Sequence, residues 1–336
     1  MASITYDSQS FLIDGRRRWL CAGVVDSARV ARDQWSARLR AAKQCGLNTV
    51  VVPVHWRRHE PSQGKFDFKG DCDIAEFIRL AGAEGLFVVV RTGPAVDSTV
   101  EMGGMPAWLL EHEGMRLRAA DPAFLEAAAK FIGALTGEIR ELQVTSRKSG
   151  PILLVQNEHQ WFCGEQEANE SYLFELGRFL RENGISVPII NNNNLYQRVE
   201  GEIDGWEGID GLHGVLRQLR SIQRDAPLLV TGLQIGKPDV WGQARPAQLS
   251  AGQTVHRLAQ ALAAHGQFVL SPFHGGTNFG FSGGRAAFSN DSHFTTSNDA
   301  QAPLGEAGGR GALYSAVKRI ATFATSFERV FAGLDS

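Results

Sequence analysis

The sequence predicts an α/β fold, a single (β/α)8 TIM barrel over residues 1–336. Short apolar runs rich in Val, Ile and Leu recur along the chain, the pattern of strands buried on both faces in a parallel sheet. Helical stretches alternate with them, giving eight strand signals in all. The runs end in polar or aromatic side chains, as strands do at the carboxyl-terminal mouth of a barrel.

Taken in order, Phe11-Leu-Ile runs into an Asp14-Gly15 turn, and residues 19–23 are expected to pair with it. Val24-Val25 then leads into Asp26-Ser27-Ala28-Arg29, a first barrel strand with a polar exit. Trp35, Leu39 and Ala42 share one face of a helix over 35–45, which Gly46 stops. Residues 48–56 form the second strand, with His55 and Trp56 at its mouth. A helix over 73–83 buries Ile74, Phe77, Ile78 and Ala81, and 85–91 is the third strand, ending at Arg91. A long loop containing Asp97 precedes a helix over about 122–142.

The fourth strand, Ile152-Leu-Leu-Val155, follows a Gly-Pro break and stops at Gln156-Asn157-Glu158-His159. Such side chains at the end of a buried strand are costly unless they line a cleft. A helix over 171–182 comes next, and the short fifth strand, 187–190, opens into Asn191–Asn194. Residues 208–213 give a weaker sixth strand and 227–231 the seventh, which exits toward Gln234. A helix over 253–265, an eighth strand over 267–271 and a last helix over 314–329 complete the series. The Gly/Ser/Asn-rich stretch 282–300 reads as an ordered loop, and no repeat or interdomain linker appears.

Composition narrows the function. The chain is 43% hydrophobic, enough for a large core, and its net charge of −2 gives no electrostatic case for a nucleic-acid partner. No apolar run approaches the length of a membrane helix, and residues 1–10 lack the regions of a signal peptide, so a cytoplasmic location is expected. Cys21, Cys45, Cys72 and Cys163 show no paired spacing and read as thiols in a reducing compartment. No cofactor is expected: there is no phosphate loop, and His55 and His59, though four apart, leave a strand next to Pro61 instead of sharing a helix. The oligomeric state is open.

Collected together, the strand exits supply Asp26, Arg29, His55, Trp56, Arg91, Asp97, Asn157, Glu158, the Asn191–Asn194 run, Gln234, His274 and Asn278. Amides pair with hydroxyls and aromatic rings stack on pyranose faces, so this rim points to a carbohydrate ligand. From about Phe11 to Gly308 the chain resembles glycoside hydrolase family 35, the β-galactosidase family. The motifs that carry the resemblance are Trp56 with His59-Glu60-Pro61, Arg91 with Gly93-Pro94, 101–110, 155–158, Asp239-Val-Trp-Gly242, 274–280, 295–297, Ala302-Pro-Leu304 and Glu306-Ala-Gly308. The resemblance implies that Glu158 is the general acid/base and that Asn157 contacts the sugar 2-hydroxyl. Trp56, Arg91, Gln234, His274, Asn278 and Asn192 are the further substrate-binding candidates. A partly desolvated carboxyl at a barrel mouth has a raised pKa and can protonate a leaving oxygen.

The departures concentrate in the site. Gly232 stands where the family has its nucleophilic Glu, and no carboxylate lies between Asp225 and Asp239. Ser98-Thr99 replace a sugar-binding Ala-Glu pair, Pro53 and Ala300 replace tyrosines, and Asp26-Ser27 replace a His-Tyr pair. Three readings stay open: a glycosidase with a changed mechanism, a carbohydrate-binding pseudoenzyme, or a glycosyl-transferring variant. For the first, Asp97 is the leading second carboxylate, then Asp26 or Glu207. Gly232 is expected to leave an empty volume fit for a water. Arg57 and Arg58 add positive charge beside the cleft. The family's accessory β domains are expected to be absent.

Overall fold

The computed structural model describes residues 2–161, 170–285, 292–299 and 301–333. The chain opens on a three-stranded antiparallel sheet, Ile4–Tyr6, Phe11–Ile13 and Arg16–Arg18. The partner of Phe11–Ile13 is Arg16–Arg18, not residues 19–23, because the two-residue Asp14-Gly15 turn sets Ile13 directly opposite Arg16. That frees the next residues to start the barrel.

The barrel strands are β1 (Cys21–Val24), β2 (Thr49–Pro53), β3 (Phe87–Gly93), β4 (Ile152–Asn157), β5 (Ile189–Asn191), a divided β6, β7 (Leu228–Gln234) and β8 (Gly266–Ser271). The two pieces of β6 are Glu202–Ile203, paired with β5, and Gly205–Glu207, paired with β7. All neighbours are parallel and β8 returns to β1, so nine strand segments make a nearly closed barrel. Val50, Val52, Val88, Val90 and residues 152–155 are wholly buried, as continuous apolar strands between two layers must be.

The sixth strand thus lies upstream of the expected 208–213. Leu212, Leu216 and Leu219 are buried at helical spacing, and that period makes Leu212–Ile222 a helix instead. At the break in β6, Asp204 accepts from Asn191 Nδ2 at 2.9 Å and from Arg198 Nε at 3.1 Å. Gln223 Oε1 takes the Asp204 N–H at 2.7 Å. Gly205 is required there, since a Cβ would stand 2.3 Å from the Thr231 side chain.

The outer layer comprises α1 (Trp35–Gln44), α2 (Ile74–Ala83), α3 (Pro122–Ile139), α4 (Glu170–Glu182), α5 (Leu212–Ile222), α6 (Ala251–Ala263) and α7 (Ala312–Ser326). Three of the starts have a side-chain cap. Asp73 caps α2, Asp121 caps α3 ahead of Pro122, and Ser250 with Gln253 forms a capping box on α6. Residues 192–201, which include most of the asparagine run, cross from β5 to β6 without a helix. Cys21, Cys45 and Cys72 are free thiols, and burial pushes Cys45 up to about 12, while Cys163 lies outside the described residues. Among the described residues no helix is long and apolar enough to cross a membrane.

Candidate active site

The carboxyl-terminal ends of the strands surround a cavity of about 680 Å³, within the size range of small-ligand sites. Of the residues expected at the site, it brings together Asp97, Arg91, Gln234 and His274. Asp26, Arg29 and Glu207, which the sequence also offers, share the wall with His159, Gln160, Lys237 and Phe294.

One wall is a closed ionic network. The buried Arg29 guanidinium meets Asp97 at 2.6 Å and Asp26 at 3.6 Å. It also donates to Asn278 Oδ1 at 2.8 Å and Thr99 Oγ1 at 2.7 Å. Asp26 in turn contacts His55 Nε2 at 2.8 Å. Burial alone would raise the Asp97 carboxyl, but Arg29 and the Thr99 hydroxyl and N–H hold it well below the usual carboxylate range. A carboxylate so fully engaged has little basicity left for activating water. Burial pushes His274 down to about 4, with its Nε2 3.2 Å from the Glu306 carbonyl, and holds His159 well below its ordinary value. Both are neutral imidazoles near pH 7.

The Arg91 guanidinium is fully buried. Its Nε donates to Gln156 Oε1 at 3.1 Å and its Nη1 to the Val96 carbonyl at 2.9 Å. Its Nη2 is buried and has no partner among the described residues, an unmet donor on a side chain that borders the cavity.

Glu158 and Asn157 lie elsewhere. Alternation along β4 turns Asn157 out of the barrel, where Nδ2 donates to the Leu173 carbonyl at 3.0 Å and to Glu202 Oε1 at 2.6 Å. Alternation would send Glu158 inward, but its backbone is left-handed, with φ 56°, and the side chain lies away from the cavity. Arg118 grips the carboxylate as a fork, at 3.1 Å and 3.0 Å. The Tyr172 hydroxyl and the His159 N–H add donors at 2.5 Å and 2.9 Å. These four contacts occupy both carboxylate oxygens, so the group must leave them before it can meet a ligand in the cavity.

Trp56 does not face the cavity. Its ring stacks on Phe131 of α3 at 5.0 Å, edge-on to Trp108, and its Nε1 donates to Glu60 Oε2 at 2.6 Å. Large apolar area is best buried between the strand exit and the helix layer, which explains the placement. Asn278 stands behind Arg29 rather than on the wall. Asn192 is buried away from the cavity, and neither of its amide atoms has a partner among the described residues. Arg57 pairs with Glu101 at 3.3 Å, and Arg58 donates to the Ala28 and Asp71 carbonyls, so neither offers a free charge to the cleft.

The volume at Gly232 is not empty. A Cβ there would lie 2.7 Å from Cδ and 3.0 Å from Oε2 of Glu207, the last residue of β6, whose side chain already fills the space. Gln234 Nε2 donates to Glu207 Oε1 at 2.7 Å, and Gln160 Nε2 donates to the same oxygen. From sequence, Glu207 comes after Asp97 and level with Asp26 as the second carboxylate, and a sixth strand expected at 208–213 leaves it outside the ladder that sets it beside Gly232. Gly232 itself was the available signal, since a glycine in a packed strand marks the close approach of a neighbour.

A parallel barrel with a polar, carboxylate-bearing cavity at its mouth defines a class, the (β/α)8 barrels with a site at the carboxyl ends of their strands, and the fold by itself does not choose among the chemistries that class supports. Sequence makes the assignment specific. The model for Glycosyl hydrolases family 35 matches residues 10–324, and the chain belongs to that family. It is 33% identical to human Beta-galactosidase-1-like protein 3 over 89% of this chain and 46% of that protein. It is 34% identical to human Beta-galactosidase over 95% of this chain and 48% of that one. The chain therefore spans about half the length of these curated relatives. Among solved structures, GH5_18 from Streptomyces cattleya in complex with GlcNAc superposes with a TM-score of 0.67 at 13% identity, covering 95% of this chain and 82% of that one. That likeness speaks to the fold alone.

Proposed function

We propose that the protein processes a β-linked, galactose-like sugar in the mouth cavity by a mechanism without a carboxylate on β7. The observation that carries the reading is the cavity itself, a sugar-sized space at the carboxyl ends of the strands. It is lined by Arg91, Asp97, His274, Gln234 and Glu207 in a chain of family 35. Arg91 Nη2 and the Gln234 amide suit sugar hydroxyls. Asp97 keeps Arg29 in place on the wall. Glu158 stands where the family has its proton donor, and it reaches a substrate only after leaving the Arg118 fork.

That fork favours a second reading, a carbohydrate-binding protein without turnover, since it holds the acid off the cavity. A panel of nitrophenyl β-glycosides, read together with calorimetric binding of the free sugars, decides between them. Hydrolysis, with the β-galactoside preferred, is expected. Sugar binding without hydrolysis of any member would establish the second reading.

A further inference from the structure

We propose that Glu207 is the catalytic carboxylate of this barrel, supplied by β6 into the space that Gly232 leaves open on β7. The inference rests on the reading of the cavity as a glycoside-processing site and names the group that reading lacks.

Four features converge on this side chain. The register places Glu207 beside Gly232 across the β6–β7 ladder, and no residue larger than glycine fits at 232 without displacing the carboxyl group. Asn194 fixes the Glu207 backbone from both sides. Its Oδ1 takes the N–H at 2.6 Å and its Nδ2 donates to the carbonyl at 2.9 Å. Both amide donors, from Gln160 and Gln234, go to one oxygen, Oε1. Gln160 reaches it from a turn in which Glu158 and Gln160 are both left-handed, at φ 56° and 51°, a conformation that side chains of this size rarely adopt.

The other oxygen, Oε2, has no hydrogen-bond partner among the described residues. The neighbouring nitrogen, His159 Nδ1, is 3.9 Å away, beyond hydrogen bonding, on a neutral ring. The side chain is only 5% exposed. A buried carboxylate oxygen left without a donor is costly, and at a cavity wall it is matched by what enters the cavity.

A carboxylate seated this deeply stands back from a sugar and works through a water. Oε2 takes one proton of the water, and the water oxygen bonds to the anomeric carbon. The bond from that carbon to the leaving oxygen breaks with its electron pair, and that oxygen takes the proton carried by Glu158 once its side chain has left the Arg118 fork. The anomeric configuration inverts.

Glu207→Gln preserves shape and is expected to lower kcat by roughly 10²–10⁴-fold and leave KM within about threefold. Glu207→Ala opens the space beside Gly232, and added azide is expected to restore turnover, which a purely structural carboxylate would not allow. A basic iminosugar of the galactose series is expected to bind Glu207→Gln at least about tenfold more weakly than the wild type, with neutral galactose unaffected. Wild-type turnover that survives Glu207→Gln, or Glu207→Ala activity indifferent to azide in a folded protein, overturns this inference and leaves the proposed function standing. A wild type that neither hydrolyses a glycoside nor binds the iminosugar overturns both.

Discussion

Glu158→Gln is expected to lower turnover of glycosides with poor leaving groups by about 10²–10⁴-fold. The substitution removes the proton that the leaving oxygen must receive, and activated aryl leaving groups should suffer least. It also has a structural effect, because the carboxylate is buried and forked by Arg118, whose own side chain is 27% exposed. Losing that pair should cost about 2–3 kcal/mol of stability, several degrees in Tm. The two effects are separable. Arg118→Met breaks the same ion pair and should lose comparable stability, yet it releases Glu158 and should retain turnover. Parallel thermal melts and kcat measurements on both variants check this. Wild-type turnover in a folded Glu158→Gln protein would take Glu158 out of the mechanism.

Asp97→Asn is expected to destabilise the barrel by about 3 kcal/mol at neutral pH, because it leaves the buried Arg29 with only the more distant Asp26 as a counter-charge. The pH dependence identifies the cause. The folded Asp97 titrates well below the roughly 3.9 of an unfolded aspartate, so its contribution is complete above that value. As the pH falls through about 4 and below, the unfolded chain takes up the proton first and the advantage disappears. Denaturant midpoints of wild type and variant should therefore run parallel from about pH 8 to 5 and converge below about 4. A gap that stays constant in acid would mean that the variant disturbs packing rather than an ion pair.

Much of the fold could be read directly. Alternating apolar runs and helical faces located the barrel strands other than the sixth, and the polar exits located the mouth with Arg91, Asp97, Gln234 and His274 on its wall. The failures have particular physical causes. The sixth strand is only two short pieces around Asp204, with no run long enough to show a period, while leucines at helical spacing follow it at once. Glu158 was expected to face the cavity because it follows a buried strand. Whether it does depends on the sign of one φ angle and on Arg118, 40 residues earlier, and neither is a local pattern. Trp56 shows the ambiguity of an aromatic at a strand exit, which serves a sugar face or the helix layer equally well by composition. The absence at Gly232 was legible, but its replacement across the ladder was not, because that required knowing which strand lay alongside.

The divided sixth strand also makes the barrel uneven as a cooperative unit. β3 and β4 share a long ladder, whereas only Glu202 and Ile203 join β6 to β5, with no covering helix over 192–201. Local opening starts where few amides are paired, so the backbone hydrogens of 189–191 and 202–203 should exchange with solvent well before those of 152–157. The seam also holds a buried acid. Desolvation pushes Glu202 up to about 8, so its folded-state advantage is complete below about 4 and fades as the pH rises toward 8. Alkaline solution should therefore loosen this edge first, and the Asn157 amide, bonded to Glu202, would report it as a resonance shift long before the barrel as a whole unfolds.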